Sequence, residues 1–143
     1  MLTKRLVDGR GVVHDLGVVP DATSVDALSV RGEDVRLIAS GPQGSALYAT
    51  RPCLASFLIQ EWGMRRWPIE RVGPVLPGQT VAHALVAADG KSFIGVTARS
   101  CELFRTDIKT GRTAVIGQLD TRGKVSHRLG MDRAGRVWGS CGN

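Results

Sequence analysis

The chain repeats itself. Residues 44–60, GSALYATRPCLASFLIQ, lie without a gap on residues 90–106, GKSFIGVTARSCELFRT. In that match Leu47, Tyr48, Phe57 and Leu58 fall on Phe93, Ile94, Leu103 and Phe104. A second set of copies frames the first: LGVVPDATSVDALSV from Leu16, VGPVLPGQTVAHALV from Val72 and IGQLDTRGKVSHRLG from Ile116. Each has an aliphatic-Gly step, a polar loop and a β-branched residue opening an apolar run. The marker glycines Gly17, Gly73 and Gly117 stand 56 and 44 residues apart. Intervals of this size belong to arrays of one supersecondary unit, each copy burying its faces on its neighbours.

The unit is clearest from Val81 to Gly117, where AHALVAA, SFIGVT, CELFRTD and RTAVIG are separated by Asp89-Gly90, a polar link and Lys109-Thr110-Gly111. Short apolar runs punctuated by Asp-Gly and Thr-Gly turns predict a four-stranded antiparallel meander.

The outer copies are modified. The first interval holds two apolar runs, VDALSV and VRLIAS, around Arg31-Gly32-Glu33-Asp34. One of them reads as an added strand, with Val35–Ser40 the counterpart of His83–Ala88. A rival reading makes Leu54, Phe57, Leu58 and Trp62 a helical stripe closed by Gly63. AGRVWGSCGN from Ala134 repeats a turn and a second strand, while the opening LTKRLVDGRGVVHDLG is like the third and fourth strands, LFRTDIKTGRTAVIG. The first 17 residues and the last 26 together make 43, close to the shorter interval. The expected organisation is a single domain, 1–143: outer strands of a split unit at 1–17, an enlarged unit at 18–73, a complete unit at 74–117 and the inner strands of the split unit at 118–143.

Strand, Asp-Gly turn, strand, link, LFRTD-type strand, Thr-Gly turn and strand together resemble a blade of the bacterial kelch-like and lyase-type β-propellers. The resemblance covers nearly the whole chain and implies an all-β fold of four-stranded antiparallel blades, about three per chain. Propellers usually close with about four to eight blades. It follows that two chains join head to tail into a ring of about six, or that another chain completes the propeller. Left open, the array would expose strand edges. The alternative fold is a β-trefoil, which closes three repeats within one chain.

Composition limits the function classes. No apolar run is long enough to span a membrane, and MLTKRLVDGRG lacks a signal-peptide core, so a cytoplasmic protein is expected. Cys53, Cys101 and Cys141 have no CxxC spacing and read as free thiols rather than zinc ligands. The net charge of +6 comes from scattered arginines; with one Tyr and three Phe, the chain lacks the basic run and stacking aromatics of a nucleic-acid binder. No P-loop and no G-x-S-x-G elbow is present, and no cofactor is expected.

In a blade the first strand lines the central channel, and the loops entering it and leaving the second strand open on one face. His83 in VAHAL and His127 in VSHRL then occupy equivalent places, with Arg36 in the matching position of the first unit. Arg51 and Arg99 belong to the loops on that face. Such a ring of His and Arg suits a carboxylate, sulfate, phosphate or acidic saccharide. The expectation is a non-catalytic binding module with its ligand at this mouth. The alternatives are a structural subunit completing a larger assembly and, by resemblance, a lyase acting on acidic saccharides with His83 and His127 moving protons.

Overall fold

The apolar runs and turn dipeptides become strands, and no helix occurs among the described residues. The computed structural model describes residues 2–7, 13–19, 21–31, 34–50, 65–66, 69–119 and 126–141, with side chains at 19, 21–31, 34–50, 69–119 and 128–139. The strands are β1 (Leu2–Val7), β2 (Val13–Val19), β3 (Ser24–Arg31), β4 (Asp34–Gly41), β5 (Gly44–Thr50), β6 (Arg65–Arg66) and β7 (Ile69–Pro77). After them come β8 (Val81–Val86), β9 (Ser92–Thr97), β10 (Glu102–Asp107), β11 (Thr113–Gln118), β12 (Ser126–Met131) and β13 (Val137–Cys141).

The stretch that is clearest in sequence folds as read: β8, β9, β10 and β11 form an antiparallel meander in chain order. Its turns work as their residues require. Gly90, Gly111 and Gly135 take positive φ of 63°, 75° and 78°, in the left-handed region open to glycine. The preceding aspartates accept backbone amide hydrogens: Asp89 from Lys91, Asp107 from Lys109 and Thr110, Asp132 from Ala134 and Arg136. These side chains fold the turn back on itself.

The enlarged unit forms a second four-stranded sheet, β3-β4-β5-β7. Neither VDALSV nor VRLIAS is surplus; they are its first and second strands. β3, not β4, packs beside β8. The sequence match had set β5 on β9, whereas by stacking β5 holds the place of β10. β4, β5 and β9 are buried on both faces and so nearly continuous in burial, and a shift by one whole strand leaves such a pattern almost unchanged, so sequence likeness cannot detect it. The additional chain lies between β5 and β7. Part of it, β6, leaves the sheet to pair in parallel with β2, His14 opposite Arg65 and Asp15 opposite Arg66. The proposed stripe of Leu54, Phe57, Leu58 and Trp62 lies outside the described residues.

The sheets stack face to face. Ala27, Ile38, Leu47, Val75 and Leu76 of the first meet Val81, Ala84, Phe93, Phe104 and Ile108 of the second. Phe93 and Phe104 are fully buried there, each worth about 2–3 kcal/mol of transfer free energy. The other face of the second sheet, with Val96 and Cys101, packs on Leu129 and Val137 of the two-stranded β12-β13 sheet. The far face of the first sheet, with Leu37, Ala39 and Tyr48, packs on Val19 of β2 and on Ala22.

One backbone irregularity recurs. Between Val25 and Ala27 of β3, the partner strand advances by one residue, from Ala39 to Ile38. The same holds between Val81 and His83 of β8, opposite Thr97 and Val96, and between Ser126 and Arg128 of β12, opposite Cys141 and Ser140. Each first strand therefore carries a one-residue bulge near its start, filled by Asp26, Ala82 and His127.

Candidate functional site

The stack has two ends with different chemistry. At the entry end, where β3 and β8 begin, the link into β8 meets the turn after β9: Ala98 N donates to Thr80 O at 2.8 Å. The sequence reading set these loops on one face, and they share it.

His83 stands on β8, half-buried, and its Nδ1 accepts the Leu129 amide of β12 at 3.2 Å. It thus ties one sheet to the next. His127 lies at the bulge of β12, level with Asp26 and Ala82, whereas the residue of β12 level with His83 is Arg128. The two histidines are offset by one residue, because β12 enters its bulge one position later than the VAHAL/VSHRL match implies. Arg99 is exposed in the turn after β9, at the entry end. Arg51 lies outside the described residues. Arg36, on the second strand of its sheet rather than the first, pairs with Ser29 and Ala49 near the opposite end. A first strand runs away from the entry end and a second runs back towards it, so a register moved by one strand carries a residue across the molecule. Among the described residues, the structure brings His83 and Arg99 to one end and sends Arg36 to the other.

Between the sheets at the entry end lies a polar relay that sequence reasoning missed. Asp26 accepts hydrogen bonds from Ser24 Oγ at 2.8 Å and from Ser40 Oγ. Ser40 also accepts the Val81 amide at 3.2 Å and touches Ser45 Oγ at 2.8 Å. Ser45 donates to Gln79 O at 3.0 Å, and Gln79 Nε2 donates to Glu102 at 3.3 Å. Ser100 Oγ lies 3.0 Å from Gln79 Oε1, 2.8 Å from Glu102 and 2.7 Å from Thr97 Oγ1. Burial pushes the Asp26 carboxyl above its ordinary range, against the smaller pull of the Ser40 and Ser24 hydrogen bonds. The relay clamps the sheets by satisfying groups that would otherwise be buried unpaired.

The other end is basic. A cleft of about 380 Å³ opens among the turns after β3, β8 and β10, lined by Arg31, Asp34, Arg36, Lys91, Asp107 and Lys109 with Gly90 and Ile108. Arg31 Nη2 crosses to Gly90 O at 2.6 Å. Arg36 Nε donates to Asp34 at 2.8 Å. Neither Lys91 nor Lys109 makes an ion pair among the described residues, although the Lys109 charge helps hold Asp107 below the usual carboxylate range, after the hydrogen bonds from Thr110. Only Arg36 of this group was singled out from sequence. The usable signal was that the turns RGED, DGK and IKTGR each carry a cation and that hairpin spacing puts all three at one end.

Among the described residues no His, Cys, Asp and Glu gather in a group that could hold a metal ion, and no helix is long and apolar enough to cross a membrane. Cys101 is fully buried. Compared with known protein families, curated proteins and solved structures, the chain shows no significant match to any.

Proposed function

We propose that the chain is an interaction module of propeller-type blades that joins further copies of itself to close a ring. One observation carries the reading: stacked sheets share the same bulge in their first strands, yet among the described residues β12-β13 has two strands where its neighbours have four. A further pair of strands on β13 would make up the unit. The hairpin β1-β2 is the natural donor, since its sequence is like that of β10-β11, the outer pair of the complete sheet. Within one chain β1-β2 packs at the far side of the stack, on the first sheet, so the donor to β13 comes from a second copy. Trp138 of β13 is 61% exposed, held by Asp132 through its indole N–H and stacked under Arg136, and would be covered on closure. Closure pairs the β13 edge, which has no partner strand among the described residues. In this ring His83 and Arg99 stand at the entry end, the end at which an acidic saccharide or small anion would meet them.

Native mass measurement at micromolar concentration tests the reading. A mass of two chains, reduced by Trp138→Lys, is expected. A monomer that keeps its β-sheet signal would overturn it.

A further inference from the structure

The basic cleft faces away from the entry end, and ring closure neither builds nor uses it. It lies between two sheets of one chain, so the inference below stands or falls apart from the oligomeric state.

Three features distinguish this cleft from an ordinary charged surface. Its cations come from three separate turns and from the start of β4, across two sheets, and converge on one space. Four like charges held together cost free energy unless something of opposite sign enters. The acids among the described lining residues are already engaged. Asp34 accepts from Arg36 Nε, and Asp107 Oδ1 accepts from the amides of Lys109 and Thr110 and from the Thr110 hydroxyl. With Arg31, Arg36, Lys91 and Lys109 set against Asp34 and Asp107, the described residues of the lining carry a surplus of two positive charges. Finally, the wall is built around its arginine. Arg31 Nη2 crosses the sheet boundary to Gly90 O at 2.6 Å and occupies the space over the bare Gly90 backbone.

We propose that this cleft binds a small molecule carrying a phosphate monoester, with Lys91 and Lys109 as point charges on the phosphoryl oxygens and Arg31 and Arg36 presenting their remaining N–H edges. A phosphate monoester carries close to two negative charges near neutrality, which matches the surplus. Its tetrahedral oxygens accept from several directions at once, as cations on three turns require, whereas a single carboxylate presents one plane. The volume, about 380 Å³, suits a compact organic group behind the phosphate, and Ile108 supplies an apolar contact for it.

Titration of the full chain with phenyl phosphate, followed through the amide NMR signals of Gly90, Lys91 and Lys109, tests this. Phenyl sulfate, of similar shape and single charge, is the control. Saturable shifts are expected at millimolar or lower phenyl phosphate, with phenyl sulfate weaker by about tenfold or more. The exposed pair K91A/K109A, checked for unchanged melting, should weaken phenyl phosphate by at least about tenfold. Arg36→Gln, which keeps a donor for Asp34, should weaken it by a smaller factor and serves if the lysine pair misfolds. No shift at millimolar phenyl phosphate, equal affinity for phenyl sulfate, or undiminished binding by the variants would each refute the site.

Discussion

Phe104 lies across the bare backbone of Gly95, its cross-strand partner: a Cβ at Gly95 would stand 2.4 Å from Phe104 Cζ and 3.0 Å from Ala84 Cβ. The glycine lets the ring fill the interface between the two four-stranded sheets. Gly95→Ala should therefore destabilise the protein by about 1–3 kcal/mol, the usual cost of overpacking. Denaturant midpoints give the value, and a change below a few tenths of a kcal/mol would mean that the ring is not seated there.

The Asp26 carboxyl is raised above its ordinary 3.8 by burial, which outweighs the hydrogen bonds from Ser40 and Ser24. A carboxyl that holds its proton more tightly folded than unfolded stabilises the fold when protonated, below 3.8, and this contribution is lost as pH rises through the folded value. Asp26→Asn does not titrate, so its stability should gain on that of the wild type as pH climbs from below 3.8. Melting temperatures of the two proteins measured in parallel read the effect directly. Curves that keep a constant separation would show that burial does not lift this group.

Thr97 is fully buried, and its hydroxyl accepts the Glu102 amide at 3.0 Å while meeting Ser100. Thr97→Val keeps the shape and strands that amide, for an expected loss of about 1–3 kcal/mol. Thr97→Ser, which keeps the hydroxyl, should lose less. Thr97→Ser drops only the methyl, so a Thr97→Val loss no larger than that of Thr97→Ser would show that the hydrogen bond is not the dominant contribution.

His83 Nδ1 is the acceptor for the Leu129 amide, the described hydrogen bond joining β8 to β12. Replacing it with Phe should speed hydrogen exchange at Leu129 by about fivefold to tenfold, as expected for the loss of about 1 kcal/mol. Exchange at Phe93, on the face away from β12, should hardly move. Unchanged protection at Leu129 would show that packing alone secures β12.

Local turn chemistry made the strands legible. Asp89-Gly90 and Lys109-Thr110-Gly111 state their hairpins in residue types that tolerate few other conformations, and the 81–118 sheet follows from them. Registration between copies was not legible. Strands buried on both faces show nearly unbroken burial from one to the next, which left VRLIAS free to be matched with the wrong partner and took Arg36 with it. The one-residue offset between His83 and His127 had no signal at all, because a bulge is a property of two strands and only one of them is visible in VSHRL. The basic cleft was missed for a related reason. Arg31, Lys91 and Lys109 are far apart along the chain, and only the stacking of two sheets makes them neighbours.

The bulge that recurs in β3, β8 and β12 is occupied by an aspartate, an alanine and a histidine. An acid, a methyl group and an imidazole have little in common chemically, so the kink is kept by the pairing of backbones and not by any side chain. The bulge therefore leaves its side chain available for other work, as Asp26 shows by joining the clamp between the sheets. Equivalent positions thus carry unlike chemistries while the sheets keep their fit to one another. A chain assembled this way holds a row of equivalent sockets, each open to separate specialisation.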